Sequence, residues 1–249
     1  MSAFVLEGWD VALVAVVSAQ VCAIAYIRQA KWKALVLSLP IPFTVAVMSL
    51  GRLVDATNVV GMLLLLLYTH AVRLLHQDMR LPIVPSIAIG AFGYCVVGGL
   101  LARSLPTTDR AFYAASGIAF LLALALYLST PNRNEPGHRS PMPIWIKLPV
   151  VVLIVLGLVA VKRVLGGFMT MFPMVGVLGA YEARHSLRTI SGQIPLLMIA
   201  MVPFMITCRL LQKAAGLGTS LIVAWVVFAA ILIPFTWHTW RIGALNDAE

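Results

Sequence analysis

Apolar residues fall into nine long runs separated by short polar breaks. The runs cover about residues 10–28, 33–51, 57–77, 83–103, 109–129, 146–162, 165–182, 189–212 and 217–240. An apolar run of about 18 residues or more is typical of a membrane-spanning helix, and a bilayer interior admits only helices or closed barrels. Because barrel strands would give short alternating segments, the pattern predicts an all-α polytopic membrane protein with about nine transmembrane helices.

The composition agrees with a membrane protein. Hydrophobic residues make up 61% of the chain and charged residues 11%, whereas a soluble domain averages about 25% charged residues. The formal net charge of +9 would favour nucleic-acid binding in a soluble protein. Here the basic residues lie in the breaks between runs, where they set orientation and meet lipid headgroups. We therefore expect membrane lipids as partners and no nucleic acid, and self-association stays open.

The distribution of basic residues predicts how the chain sits in the membrane. With the N-terminus outside, more Lys and Arg residues fall in cytoplasmic breaks than in outer breaks. The positive-inside rule then favours an outer N-terminus and a cytoplasmic C-terminus. The expected location is a bacterial-type inner (plasma) membrane.

The longest polar break, residues 130–145, is rich in Pro, Asn, Ser and Arg and divides the chain. On either side lie similar segments, KWKALVLSLPIP at Lys31–Pro42 and KRVLGGFMTMFP at Lys162–Pro173. Aligning them predicts a four-helix repeat in residues 1–105, a linker helix and polar loop in 106–145, and a second repeat in 146–249. A single linker crossing would place the second repeat upside down relative to the first, a plan common in transporters.

Four short motifs carry a resemblance to a known family. They are Gly166-Gly167, Phe172-Pro173, Leu187-Arg188-Thr189 and Val202-Pro203-Phe204. With them, residues 162–240 resemble the GlpM family of small four-span bacterial inner-membrane proteins. The resemblance implies a duplicated and fused four-span unit, and it implies architecture far more than activity. The first half departs from it, because Leu35-Val36 stands where the glycine pair would be.

Candidate functional residues lie at proline breaks and at charges inside the spans. Pro42 and Phe172-Pro173 interrupt two spans, and broken helices line the solute sites of many transporters; close helix packing is the alternative explanation. Arg73 and Arg209 lie slightly inside their spans. They could guide an anion, or they could extend to the membrane surface.

A polar cluster, Tyr68-Thr69-His70, interrupts a leucine-rich span. It could bind a solute, and a histidine satisfied within the packing is the alternative. The acidic residues, Glu182 among them, lie at span edges, and Glu182 is expected in a solvated, ion-paired turn. The cysteines have no metal-ligand spacing, and no nucleotide-binding motif occurs, so we expect no cofactor and no metal.

These observations favour a non-enzymatic transporter that moves a small anionic solute or a lipid headgroup by alternating access of inverted repeats. The predicted substrate-binding residues are Arg73, Arg209, His70, Tyr68, Phe172, Pro173 and Pro42. The alternative is an accessory membrane protein that packs against an envelope enzyme or a transport complex. An intramembrane enzyme is a weaker third option, because no catalytic set of residues converges.

Overall fold

A computed structural model describes residues 7–129 and 143–246 of the chain. Every regular element within those ranges is a helix. The helices are α1 (Gly8–Tyr26), α2 (Ala30–Ser38), α3 (Ile41–Leu50), α4 (Ala56–Arg73), α5 (Ile83–Ser104), α6 (Asp109–Ser129), α7 (Ile144–Ala160), α8 (Lys162–Leu165), α9 (Phe168–Met171), α10 (Met174–Glu182) and α11 (Leu187–Asn246). A π-helical turn, Leu74–Asp78, continues α4. The predicted polar break at 130–145 falls mostly on residues 130–142, outside the described residues.

Six segments in the described ranges are long and apolar enough to cross a membrane. They are Gly8–Tyr26, Ala30–Leu50, Ala56–Asp78, Ile83–Ser104, Asp109–Ser129 and Leu187–Arg241. The prediction of an all-helical chain with apolar membrane-type helices is therefore confirmed, whereas the count of nine crossings is not.

The shortfall has physical causes in the second half of the chain. The apolar helix α7 is short, with Trp145–Ala160 as its apolar part. Residues 162–182 are divided among three short helices. The last two predicted spans lie in α11, whose two helical halves meet at a kink at Gly216 (φ 79°, ψ 164°).

Two predicted spans are broken near their middles. The first broken helix is α2 with α3, and the second broken helix is α8 with α9 and α10. Each break consists of an extended residue followed by a proline, Leu39-Pro40 in the first and Phe172-Pro173 in the second. Proline lacks a backbone donor and forces its predecessor away from the helical region, so the helix stops there.

The second broken helix has a further interruption at its two glycines. Gly166 adopts φ +53°, a conformation that other residues rarely take. Gly167 lies against the start of α4, and a Cβ built on it would lie 2.0 Å from Thr57 Oγ1. The glycine pair therefore permits α9 to approach α4 closely.

The core is organised around α4, which packs against α5, α6, α9 and α11. α1 packs against α3, α7 and α10. Each broken helix therefore has α1 on one side and α4 or α11 on the other. Outward-facing apolar side chains such as Leu121, Leu128 and Ile222 stay exposed, as expected for a surface that meets lipid.

The close approach at Gly167 gives a stability prediction. Gly167→Ala is expected to lower the free energy of unfolding by about 1–3 kcal/mol, because the new methyl group overlaps Thr57. Thermal unfolding of the purified protein in detergent measures it. Gly93→Ala is the matched control, since a Cβ on Gly93 meets nothing within 4 Å. Equal melting temperatures for the two variants would contradict the close approach.

Candidate functional site

The two helix breaks face one cavity near the middle of the helical core. Its volume is about 100 Å³, and its wall is formed by residues from both breaks, from α4 and from the first half of α11. Four predicted site residues line it, namely Pro42, Tyr68, Phe172 and Pro173. The structure thus brings together the two proline segments and the tyrosine that the sequence singled out separately.

The two breaks have nearly the same backbone geometry. Leu39 and Phe172 have ψ of 128° and 134°, and the prolines that follow have φ of −79° and −72°. The residue equivalent to Pro173 is therefore Pro40. Pro42 lies two residues further on, in the first turn of α3. The sequence alignment that pairs Pro42 with Pro173 therefore differs by two residues from the structural equivalence at the break.

Carbonyl groups freed at the breaks have partners from neighbouring helices. Gln20 Nε2 donates to Val36 O at 2.7 Å. In an unbroken helix this carbonyl would accept a hydrogen bond from the amide of residue 40, but Pro40 has no amide hydrogen. Tyr94 OH donates to Phe168 O at 2.8 Å. Such donors allow a broken helix to exist in a membrane, where water cannot satisfy the backbone.

The amides that begin α3 and α10 lack such partners within their helices. The first i−4 bonds are Thr44 N to Pro40 O and Val177 N to Pro173 O. The amides of Phe43, Val175 and Gly176, all residues of the cavity wall, precede those bonds. Amides in the first turn carry the positive pole of a helix. Two helix N-termini therefore meet at this cavity.

The remaining polar atoms of the wall are few. The Ser38, Thr170 and Ser191 hydroxyls donate to carbonyls three or four residues earlier in the chain. The Tyr68 side chain is buried, and its hydroxyl has no hydrogen-bond partner among the described residues. Among the described residues, no Lys, Arg, Asp or Glu lines the cavity. The carbonyls of Ser38 and Met171, at the ends of α2 and α9, also have no hydrogen-bond partner among the described residues. The site is an apolar space with unpaired donors and acceptors of the backbone.

A buried ion cluster, here named the Asp10 clamp, ties one end of the two broken helices together. Lys162 Nζ lies 2.9 Å from both carboxylate oxygens of Asp10 and donates to Ser49 O at 3.4 Å. The Ser49 hydroxyl also donates to Asp10. Asp10 is completely buried. The cluster joins the start of α1, the end of the first broken helix and the start of the second.

A second cluster, the Glu182 clamp, joins the other end. Lys147 Nζ lies 2.7 Å from Glu182 Oε1, and Lys33 Nζ donates to Glu182 O at 3.4 Å. All three side chains are buried. The expectation that Glu182 lies in a solvated turn is therefore wrong, because α2 and α7 cover it. This cluster joins the start of α7, the start of the first broken helix and the end of the second.

The clamps show that the two broken helices run antiparallel. In each clamp a lysine near the start of one broken helix donates to a carbonyl near the end of the other, Lys162 to Ser49 and Lys33 to Glu182. Sixteen residues separate Lys33 from Ser49, which corresponds to roughly 24 Å at the helical rise of 1.5 Å per residue. The cavity lies between the clamps.

The other three predicted site residues lie away from the cavity wall. His70 Nδ1 lies 2.9 Å from Leu66 O in its own helix. Arg73 is half-buried near the end of α4, one turn beyond Thr69. Arg209 Nη2 lies 2.6 Å from Asp109 Oδ1, and its Nη1 donates to Val54 O at 2.9 Å. The structure therefore places Arg209 in an ion pair with a partly exposed carboxylate.

Sequence reasoning missed the five charged residues of the clamps as a functional set. Each lies at a span end, where a single charge is indistinguishable from one that faces water. A usable signal existed, because the predicted span order places Lys33, Lys147 and Glu182 on one face and Asp10 and Lys162 on the other. Pairing charges face by face would have pointed to both clusters.

No protein-family model, curated protein or solved structure matches the chain. The functional interpretation therefore depends on the geometry of the cavity and the clamps.

The Asp10 clamp gives a second stability prediction. Asp10→Asn or Lys162→Met is expected to lower the free energy of unfolding by about 3–5 kcal/mol, because each change leaves a buried charge unpaired. The double variant is expected to lose less than the sum of the two single losses. Unfolding by detergent titration measures these values.

Asp78→Asn is the control for this experiment, since it removes an exposed carboxylate. We expect a small effect there, as for surface substitutions generally. Additive losses in the double variant, or single losses no greater than that of the control, would contradict the role assigned to the clamp.

Proposed function

We propose that this chain is a transporter-like membrane protein that binds a small anionic solute between its two broken helices. The observation that carries the proposal is that both breaks line one cavity, midway between two buried ion clusters. In transporters, discontinuous helices at the midplane present helix ends to the solute. The cavity supplies such helix ends, with unpaired amides from α3 and α10.

The packing supports an inverted repeat, which we propose for residues 1–105 and 146–249 with α6 as the linker. The first half of each broken helix packs against the other repeat: α9 against α4, and α2 against α11, which holds the third and fourth helices of the second repeat. The antiparallel course of the broken helices supports the same relationship. With α11 divided at Gly216 and residues 162–182 counted as one crossing, nine crossings result. The GlpM-like character of the second repeat stays part of the proposal.

In this proposal the two clamps act as gates. Both clamps are closed in the structure, and opening one clamp would admit solute from one face. The broken helices could then rock about their breaks, because the backbone there is already free of the helical hydrogen-bond ladder. The N-terminus outside would place the Asp10 clamp on the outer face and the Glu182 clamp on the cytoplasmic face.

The alternative, an accessory protein that transports nothing, is favoured by one observation. The cavity is small and its wall is mostly apolar, which a packing defect between two kinked helices would also produce. The two functions differ in whether the cavity opens to either face.

Thiol labelling of the cavity tests this difference. Thr69 lies in the cavity wall, so Thr69→Cys is introduced after Cys22, Cys95 and Cys208 have been replaced. An impermeant methanethiosulfonate is then applied to one face of membrane vesicles at a time. Asp10→Asn is expected to raise the labelling rate from the Asp10 face alone, and Glu182→Gln from the Glu182 face alone. An increase of at least about tenfold corresponds to the loss of 1.4 kcal/mol of gate closure.

Asp78→Asn in the same background is the control and should leave the labelling rate unchanged from both faces, since Asp78 is exposed and belongs to neither clamp. Labelling that is slow from both faces in all three variants would overturn the gating proposal. That result would support the accessory protein.

The proposed anion-guiding role of Arg73 is tested in the Glu182→Gln variant. Arg73 lies one helical turn from Thr69, towards the Glu182 end. We expect Arg73→Gln to lower the ratio of labelling by an anionic reagent to labelling by a cationic one, by about threefold or more, because a local positive charge concentrates anions. Arg103→Gln, an exposed change on α5, is the control. An unchanged ratio would remove this role from Arg73.

Arg209 is held by Asp109 in this structure. To guide an anion on the opposite face, Arg209 would first have to release the Asp109 carboxylate.

A further inference from the structure

We propose that the face of the protein that holds the Asp10 clamp binds the phosphate group of an anionic phospholipid, in a cavity bordered by Arg52 and Arg103. This cavity is separate from the space between the helix breaks, and the proposal does not depend on transport. Four features support it: the position of the cavity at the ends of spans, two arginines without partners, an excess of positive charge in the wall, and an exposed apolar border.

The cavity lies where several helices begin or end. Its volume is about 310 Å³, and small-molecule sites usually measure about 300–1,000 Å³. Its wall is formed by the α3–α4 connection, the first turn of α4, the end of α5 and the glycine pair between α8 and α9. One candidate membrane span begins beside it at Ala56, and another ends beside it at Ser104. Because span ends lie near the lipid headgroups, the cavity is at the level of the lipid phosphates.

The two arginines of the wall come from different elements. Arg52 belongs to the connection between α3 and α4, and Arg103 to the last turn of α5. Both are exposed, and neither guanidinium has a hydrogen bond or an ion pair with a described residue. The planar guanidinium matches the oxygens of a phosphate group in geometry as well as in charge. Both arginines are therefore available to a ligand.

The glycine turn helps to position Arg52. Gly166 ends α8 with φ +53°, and a Cβ built on it would lie 3.4 Å from Arg52 Nη1. The guanidinium of Arg52 thus lies against the bare backbone of this glycine, although the two residues are distant in sequence. Gly167 permits the packing of α9 on α4, whereas Gly166 leaves room for Arg52 at the cavity.

Acidic groups near the site do not neutralise it. Asp55 also lines the cavity, but its Oδ1 accepts from the amide and the hydroxyl of Thr57, at 2.8 and 2.5 Å, and so caps α4. Glu7 lines a neighbouring cavity that shares Arg52, and the described residues show no ion pair between them.

The sum of charges in the wall is positive. Helix α4 begins at the cavity and α5 ends there, and each helix pole is equivalent to roughly half an elementary charge of opposite sign. These two poles cancel, which leaves two arginines against the single carboxylate of Asp55. The wall therefore favours a ligand with a negative charge.

An exposed apolar border identifies the ligand as a lipid. Val164 lines the cavity, and Leu100 lies one helical turn before Arg103 on α5; both side chains are largely exposed. A Cβ built on Gly99 would lie 3.8 Å from Val164 Cγ1, so α5 and α8 are in contact beside the cavity. Exposed apolar side chains thus continue from the arginines along the outer side of both helices. A molecule with a phosphate group and acyl chains contacts both parts of this surface.

Native mass spectrometry of the purified, lipid-depleted protein in detergent tests the proposal. The probe is dioleoyl phosphatidylglycerol; dioleoylglycerol has the same chains without the phosphate, and dioleoyl phosphatidylcholine has the phosphate without a net charge. We expect the first phosphatidylglycerol to bind at least about tenfold more tightly than either. Equal affinity for phosphatidylglycerol and dioleoylglycerol would overturn the recognition of phosphate, and equal affinity for phosphatidylcholine would overturn the preference for an anionic lipid.

A pair of double variants locates the lipid. Arg52→Gln with Arg103→Gln is expected to weaken phosphatidylglycerol binding by about tenfold or more and to leave dioleoylglycerol binding unchanged. Arg110→Gln with Lys213→Gln is the control, because it removes the same charge from exposed residues outside the wall. All four changes are at the surface, and melting temperatures near that of the parent verify the fold. Unchanged binding in the cavity variant, or an equal loss in the control, would overturn the proposal.

A carboxylate placed in the wall gives a second test. Thr107→Glu would pair with the arginines and is expected to weaken phosphatidylglycerol binding by about tenfold or more, whereas Ser104→Glu, exposed but outside the wall, should not. Equal binding in the two variants would contradict the site.

Inorganic phosphate, added in large excess over the lipid, separates the two sources of a phosphate group. We expect it to leave the bound phosphatidylglycerol in place, because it cannot contact the apolar border. Displacement of the lipid by inorganic phosphate would show that the site takes free phosphate and that the assignment to a lipid is wrong.

Discussion

The structure depends on charge pairing at the two ends of its antiparallel broken helices. A broken helix has lost part of the hydrogen-bond ladder that keeps a membrane helix straight, so its two halves must be positioned by other contacts. The Asp10 clamp and the Glu182 clamp position them at both ends. Buried charges attract strongly but are costly to leave unpaired, so each clamp holds its helix ends together only while its partners stay paired. The cavity lies at the breaks, between the two clamps.

The breaks are stable because side chains of neighbouring helices donate hydrogen bonds to carbonyls that the breaks leave without a helical partner. Gln20 and Tyr94 supply donors to freed carbonyls, and Asn58 Nδ2 donates to Thr170 Oγ1 beside the second break. In the described part of the chain, the amides of Phe43, Val175 and Gly176 and the carbonyls of Ser38 and Met171 have no such partner, and all five residues belong to the cavity wall. The polarity of this apolar wall thus arises from backbone groups of both kinds, donors and acceptors.

The sequence predicted features that depend on neighbouring residues better than features that depend on contacts between distant helices. Apolar runs predicted α1, α5 and α6 to within a few residues, and proline chemistry predicted both breaks. The residues Pro42, Tyr68, Phe172 and Pro173 do share one cavity. The equivalence of Pro40 with Pro173 was not predictable, because it depends on backbone angles. Burial of Asp10 and Glu182 depends on helices distant in sequence.

The two clamps are equivalent in backbone position but differ in how their lysines are used. In the Asp10 clamp one side chain, Lys162, lies against the carboxylate and also donates to Ser49 O. In the Glu182 clamp these contacts are divided, because Lys147 lies against the carboxylate whereas Lys33 donates to the backbone carbonyl of Glu182. In the proposed gating, displacement of Lys162 alone would release both of its contacts at the Asp10 clamp, whereas release of the Glu182 clamp requires two lysines to move.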